Sequence, residues 1–345
     1  MTDPEHYLES DAGGVLTDQI MRLLRDRESD NTPLVLELIN GGGVNRRLLG
    51  YLFGIAVFHA NKELGGRAMG LLQRFASETT VRQAQKLRES AAYHYDEAEY
   101  FSRYQSAEID LFDLLLASKM CLWHRNRPGQ GSNAQVAHQT LDLRRLQSDT
   151  LSPGLATLDF LKFVALPAHR DFDLPAAIPL LLQLPLEILI IENIRLDVFP
   201  VALFSLPRLS TLILRKGNLR VKNPVQMPAG GPFGSTALEK LIVEGYPLSG
   251  EAQLGPFPNL REVTLLRCSL NRLDFLEQSR RLERLNLKFN HLETLPAFLS
   301  DCTELRSLEL SGNPFRKIEL DLTRLHQLEE VEIKMQTRLP GNFRL

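Results

Sequence analysis

The sequence predicts an α/β solenoid preceded by an all-α domain. Three observations carry that expectation. From residue 158 onward, one short apolar pattern recurs at a nearly constant interval. Before residue 125 the pattern is missing, and apolar residues follow helical spacing instead. Between the halves, residues 125–133 (RNRPGQGSN) are polar and rich in chain breakers, which marks a boundary. The expected organisation is a helical domain over 1–125, a linker and N-terminal cap over 126–157, and repeats over 158–345.

Composition narrows the function classes. A chain of 345 residues fits two domains, and 43% apolar with 24% charged residues is globular rather than disordered. The 40 basic and 42 acidic residues give a net charge of −2, which offers no cationic field for nucleic acid. The N-terminus lacks the basic and apolar regions of a secretory signal. The longest apolar stretch, Leu48 to Phe58, is about half of the ~20 residues that cross a bilayer, so no membrane span is expected. Cys121, Cys268 and Cys302 stand far apart, which argues for free thiols in a reducing cytoplasm.

The repeat reads apolar, x, x, apolar, x, apolar, x, x, then a ninth position that is often Asn, Cys or apolar. Copies begin at Leu158, Leu186, Leu209, Leu238, Leu260, Leu282, Leu305 and Leu328. The clearest are LERLNLKFNHL from Leu282 and LRSLELSGNPF from Leu305, and LREVTLLRCSL from Leu260 carries Cys at the ninth position. Positions four and six alternate with outward-facing ones, as a short half-buried strand requires. This pattern resembles the leucine-rich repeat, at 20–29 residues per unit. The resemblance implies a right-handed solenoid of about eight repeats, because one repeat cannot bury its own apolar face and needs stacked neighbours. Asn290 and Asn313 hold the ninth position, while Ile194, Gly217, Tyr246, Cys268 and Gln336 replace it elsewhere. Leu141-Asp-Leu143-Arg-Arg-Leu146 reads as a worn copy within the expected cap.

In the first half, Thr32 is expected as an N-cap with Pro33 at the first helical position, and Gly41 to Gly43 as the stop. Helices are then expected over Arg46 to His59, Leu64 to Ala76, Thr79 to Tyr104 and Ala107 to Trp123. In the second of these, Leu64, Ala68, Leu71, Leu72 and Phe75 share a face. ANKELGGRAMGLLQRFA is similar to a HEAT-type helical pair, and an unrelated helical bundle is the alternative.

Catalytic signatures are sparse. Gly41 to Gly43 lack the Lys-Ser/Thr of a phosphate loop, and no nucleophile elbow, zinc-protease helix or kinase set is present. Cys121 and His124 form a lone Cys-x-x-His pair, short of the four ligands zinc needs. The charged runs His94 to Glu99 and His169 to Asp173 read as solvated surface rather than acid–base or metal sites. No catalytic residue, cofactor or metal is assigned.

What remains is a surface. The repeat places positions 2, 3, 5, 7 and 8 outward on a concave sheet. Position five then reads Lys162, Ile190, Ile213, Ile242, Thr264, Asn286, Glu309 and Glu332, with three consecutive Ile residues that the core does not require. Ile188, Leu266 and Phe289 add apolar material, and Arg215, Lys216, Arg267 and Lys288 supply charge at the rim. An apolar centre with a charged rim is expected to bind a protein partner. The expected function is a non-enzymatic scaffold or regulatory adaptor. The alternatives are an effector acting through its helical domain and a purely structural role. Residues 217–237 form an insertion in the third repeat, expected as a loop leaving the solenoid edge, with Arg220 and Lys222 at its root.

Overall fold

The computed structural model describes residues 11–25, 30–90, 108–109, 111–125, 139–217, 224–249, 254–315 and 322–333. The chain divides into two compact units, Met1–Arg145 with Leu151–Leu161, and Leu146–Thr150 with Lys162–Leu345.

The first unit holds helices α1 (Asp11–Arg25), α2 (Thr32–Gly42), α3 (Arg46–Phe58), α4 (Lys62–Phe75), α5 (Glu78–Ser90) and α6 (Leu111–Arg125), and a short strand β1 (Thr140–Asp142). Helix α2 begins one residue earlier than the sequence suggests. Thr32 is already helical, Asn31 is the cap residue, and Asp30 Oδ1 accepts the Thr32 N–H at 3.1 Å. The stop is where it was expected: Gly43 takes φ 79° and donates its N–H to Ile39 O at 3.0 Å. Asn45 caps α3 by accepting the Leu48 N–H, and Asn61 caps α4 by accepting from Glu63 and Leu64, so α4 starts at Lys62 rather than Leu64. The runs His94 to Glu99 and most of the expected helix Thr79 to Tyr104 past Ser90 lie outside the described residues.

Helix α3 is buried along its length from Leu48 to Val57, because α4, α5 and α6 all pack on it. Gly50 and Gly54 make the α6 contact possible. They lie one turn apart on one face, where a Cβ at Gly50 would come within 3.2 Å of Asp113 and one at Gly54 within 2.5 Å of the Ala117 Cβ. Gly54→Val should therefore overpack this interface and lower the unfolding free energy by about 1–3 kcal/mol. Gly66→Ala on α4, where an added Cβ meets nothing within 4 Å, should instead raise it by up to about 1 kcal/mol. Chemical denaturation of the two variants checks the contrast.

In the second unit, eight parallel strands form one sheet in the order β2 (Phe163–Ala165), β3 (Ile188–Glu192), β4 (Thr211–Arg215), β6 (Lys240–Glu244), β8 (Glu262–Leu266), β9 (Arg284–Asn286), β10 (Ser307–Glu309) and β11 (Glu330–Glu332). The described connections between them return outside the sheet. The first contains a true helix, α7 (Leu174–Leu181), and others use 3-10 turns such as Val201–Ser205 and Ala297–Asp301. Positions four and six point inward: Leu189, Ile191, Leu212, Leu214, Val263, Leu265, Leu308 and Leu310 are all buried.

The register corrects the first repeat. Ala165 pairs with Ile190 and Phe163 with Ile188, so this repeat begins at Leu161, three residues after Leu158. Leu158-x-x-Leu161 and Leu161-x-x-Val164 both satisfy the apolar pattern, which made the start ambiguous. The chain decides it locally. A 3-10 turn over Pro153–Thr157 runs into Leu158, whose N–H bonds to Leu155 O, and Leu161 N–H bonds back to Leu158 O. Lys162 therefore stands before the strand, beside Glu187 at 2.8 Å, and Ala165 takes its place at position five.

The insertion in the third repeat also differs from expectation. Residues 228–234 are largely irregular, but β5 (Val225–Gln226) pairs in parallel with β7 (Leu248–Ser249), and Gln226 bridges to Val198. Its later part is thus stitched to the outer side of the coil. Backbone donors there find partners in neighbouring repeats, which costs less than a free loop with unpaired groups near the core. Arg220 and Lys222 lie outside the described residues.

At the ninth position, Asn290 lies in the coil interior. Its Nδ2 donates to Leu265 O at 2.6 Å and Leu287 O at 2.9 Å, while Oδ1 accepts from Cys268 N at 3.0 Å and Leu270 N at 3.2 Å. Asn313 repeats this one coil later, donating to Leu287 O and Leu310 O and accepting from Leu292 N. Gly217 has no side chain to do so, and Tyr246 from the following repeat reaches past it to donate its hydroxyl to Ile194 O at 2.8 Å. Asn290→Ala should destabilise by about 3 kcal/mol and Tyr246→Phe by about 1–3 kcal/mol, because each strands buried backbone groups. Urea melts of the two variants test this, and an unchanged midpoint for either would contradict it.

Candidate functional site

The outward face of the sheet is built from rows that run across the strands. The position-five row is Ala165, Ile190, Ile213, Ile242, Thr264, Asn286, Glu309 and Glu332, each residue paired in register with the next. Beside it runs the position-three row of Phe163, Ile188, Thr211, Lys240, Glu262, Arg284, Ser307 and Glu330. The face is apolar in its first repeats and becomes polar, then acidic, toward the last.

Ion pairs flank the apolar stretch on both sides. On one side are Lys162 with Glu187 at 2.8 Å and Lys240 with Glu262 at 2.8 Å. On the other, Arg215 stands between Glu192 at 3.9 Å and Glu244 at 3.2 Å. Farther along, Lys288 Nζ holds Glu309 at 2.5 Å and Glu332 at 2.7 Å, and those two bonds raise its pKa.

The spacing of strands, the inward positions four and six and the Asn side chains bridging successive coils decide the fold of this half. The second unit is a leucine-rich-repeat solenoid. Solved structures similar to the chain include a leucine-rich-repeat protein of Leptospira interrogans, at 18% identity over 71% of this chain and 60% of that one, with a TM-score of 0.47. Internalin C2 of Listeria monocytogenes matches at 18% identity over 59% and 83%, TM-score 0.45. The leucine-rich-repeat domain of the type III effector XopL matches at 18% over 73% and 94%, TM-score 0.37. The chain spans 60% of the length of the Leptospira protein. No protein-family description and no curated protein matches the sequence.

The leucine-rich repeat distributes the expected site residues unevenly. Ile190 and Ile213 sit half-buried at neighbouring points of the central row. Ile242 does not share that exposure: it is only 4% exposed. It is flanked by Ile213 and Thr264 on adjacent strands, and by Lys240 and Glu244 on its own, whose side chains are drawn into the ion pairs above. Ile242 is therefore a core residue of the face and offers little surface. Arg215 and Lys288 are engaged by the chain's own carboxylates. Lys216 lies 5.6 Å above the Tyr246 ring, and Leu266 is half-buried. Arg267 is exposed, 5.1 Å from the Phe289 ring, which is itself 50% exposed. Sequence reasoning missed Phe163, because the three-residue slip in the first repeat hid it.

In the run His169 to Asp173 two side chains have local partners. His169 Nδ1 contacts Asp149 at 2.7 Å, and Asp173 caps α7 by accepting the Ala176 N–H at 2.9 Å. A groove of about 600 Å³ is lined by Arg170 to Pro175 on one side and Arg195 to Ala202 on the other, with Val198 on its wall. Among the described residues no cluster of His, Cys, Asp and Glu is arranged to hold a metal, and no helix is long and apolar enough to cross a membrane.

The three cysteines are free and buried. Burial pushes Cys121 and Cys268 up to about 12 and Cys302 up to about 11, from 9.0. Keeping a thiol neutral favours the folded chain at low pH, and this contribution is lost as pH rises from 9.0 toward these values. All three should resist alkylation near neutral pH and react together on unfolding. Rapid labelling of Cys121 in the folded chain would contradict its burial.

Proposed function

We propose that the chain is a non-enzymatic, cytoplasmic protein-interaction module, a scaffold or regulatory adaptor that binds a protein partner on the concave face of its repeats. One observation carries this reading. Ile188, Ile190 and Ile213 form a continuous apolar area on the outward face, while the inward positions of the same strands already fill the core. Evolution of a solvated sheet face needs no such side chains, and a contiguous apolar area marks a contact. The flanking charges are largely matched within the chain, so they keep water off the edges of the apolar centre and set register rather than supply the attraction. Cys121 in the helical unit is held as a thiol by burial, which makes it a poor nucleophile. Free cysteines fit a reducing compartment.

A photo-reactive amino acid placed at Ile190 or Ile213 should cross-link a partner in cells, while one placed at Glu293 on the outer side should not. Against that purified partner, Ile213→Asp should cost more than ~1 kcal/mol of affinity with the fold intact. Unfolding of Ile213→Asp, or equal cross-linking from Glu293, would overturn the assignment.

A further inference from the structure

Position eight is the last outward position before each chain turns into the coil. Through six repeats it reads Asn193, Lys216, Gly245, Arg267, Phe289 and Gly312. Five of these take a left-handed backbone: φ is 58° at Asn193, 74° at Gly245, 54° at Arg267, 56° at Phe289 and 79° at Gly312. Glycine adopts that conformation freely, whereas a bulky side chain pays in steric strain. Phe289 carries that strain and leaves half of its ring in water, so neither backbone preference nor burial accounts for an aromatic residue there. The ring lies over Gly312, where an added Cβ would come within 2.5 Å of it.

Two cations share this line. The Arg267 guanidinium stands 5.1 Å from the Phe289 ring centroid, and the Lys216 ammonium 5.6 Å from that of Tyr246. Neither makes an ion pair among the described residues, in contrast to Arg215 and Lys288 one position earlier. Burial and the nearby Arg170 push the Lys216 pKa down, so an added anion there would relieve an unfavourable environment. Position eight carries no acid in these six repeats.

We propose that this edge binds an extended, acidic segment of a partner protein, with carboxylates on Lys216 and Arg267 and an apolar side chain on the Phe289 ring. It rests on the reading that the repeat face binds a protein, and adds the chemistry of what is bound. Lys216 follows β4 and Arg267 follows β8, with β6 between them, so the cations stand roughly 10 Å apart at ~4.8 Å per strand. A segment in the polyproline-II form rises ~3.1 Å per residue and returns to the same face every three residues, which places the carboxylates at i and i+3. Phe289 lies one strand farther, so the apolar residue falls at i+4 or i+5. A guanidinium stacked on a ring keeps its N–H edge free for a carboxylate.

The test uses the full chain and a labelled peptide with glutamates at i and i+3 and leucine at i+5 in a serine background, read by fluorescence anisotropy. The glutamate peptide should bind at least about tenfold more tightly than its glutamine counterpart. Lys216→Gln with Arg267→Gln should remove that preference, and Arg267→Lys should keep most of it. Phe289→Gly should weaken the peptide about fivefold while the melting temperature holds or rises, because glycine relaxes the backbone. Equal binding of both peptides, tighter binding of a single-stranded oligonucleotide, or a fall in melting temperature with unchanged affinity for Phe289→Gly would each overturn the proposal. Cross-linking from a photo-reactive residue at Ile213 separates the two readings. Peptide failure with partner cross-linking at Ile213 intact refutes only the acidic segment. Peptide binding without any Ile213 cross-link refutes only the apolar centre.

Discussion

The repeat half depends on satisfying the backbone groups where each chain leaves its strand and turns inward. At that point amides and carbonyls enter a dry interior, and each one left unpaired costs about 1–3 kcal/mol. Asn suits the task because one short side chain offers both donors and an acceptor. Asn290 uses both at once, tying Leu265, Leu287, Cys268 and Leu270 across adjacent coils. Where the sequence abandons Asn, the constraint remains and other groups meet it. Tyr246 spans the gap at Gly217, and Asn193 Oδ1 accepts the Gly217 N–H at 2.7 Å. Irregular letters at the ninth position therefore do not mean an irregular coil.

With backbone and core satisfied inside, the outward rows are released from stability and carry information instead. Their composition changes along the sheet, from Ile190 and Ile213 through Thr264 and Asn286 to Glu309 and Glu332. The cations close to the row are partly consumed by this gradient. Lys288 neutralises the two glutamates that would otherwise repel each other on neighbouring strands, and Arg215, on the strand between Glu192 and Glu244, faces both. Lys216 and Arg267 are left over, each resting on a ring. A charge on an aromatic face is modest in energy but well fixed in place, which suits a contact that must be found by an oncoming charged segment.

The helical unit follows a different rule. Its central helix α3 is apolar all round, so its neighbours must approach from several sides, and small residues set how closely they can come. Gly50 and Gly54 give α6 that proximity. The burial that results also explains the chemistry of Cys121: a thiol sealed among packed helices is a hydrophobic side chain rather than a nucleophile.

By itself, the sequence determined the solenoid, its period and the alternation of inward and outward residues, because apolar spacing is set by strand geometry and needs no long-range information. It also located the Gly43 stop of α2 and the row containing Ile190 and Ile213. Tertiary structure alone decided three matters. The first repeat begins at Leu161, since two overlapping apolar triplets fit the pattern and only pairing with β3 chooses between them. Ile242 is buried while Ile190 and Ile213 in the same row are only half-buried, a difference that position in the repeat alone does not set. Phe289 and Arg267 stand in the left-handed backbone that Gly245 and Gly312 take at the same position of other repeats. A pattern of residue types records which side of a strand faces inward; what lies over the other side depends on neighbours that only the folded coil brings together.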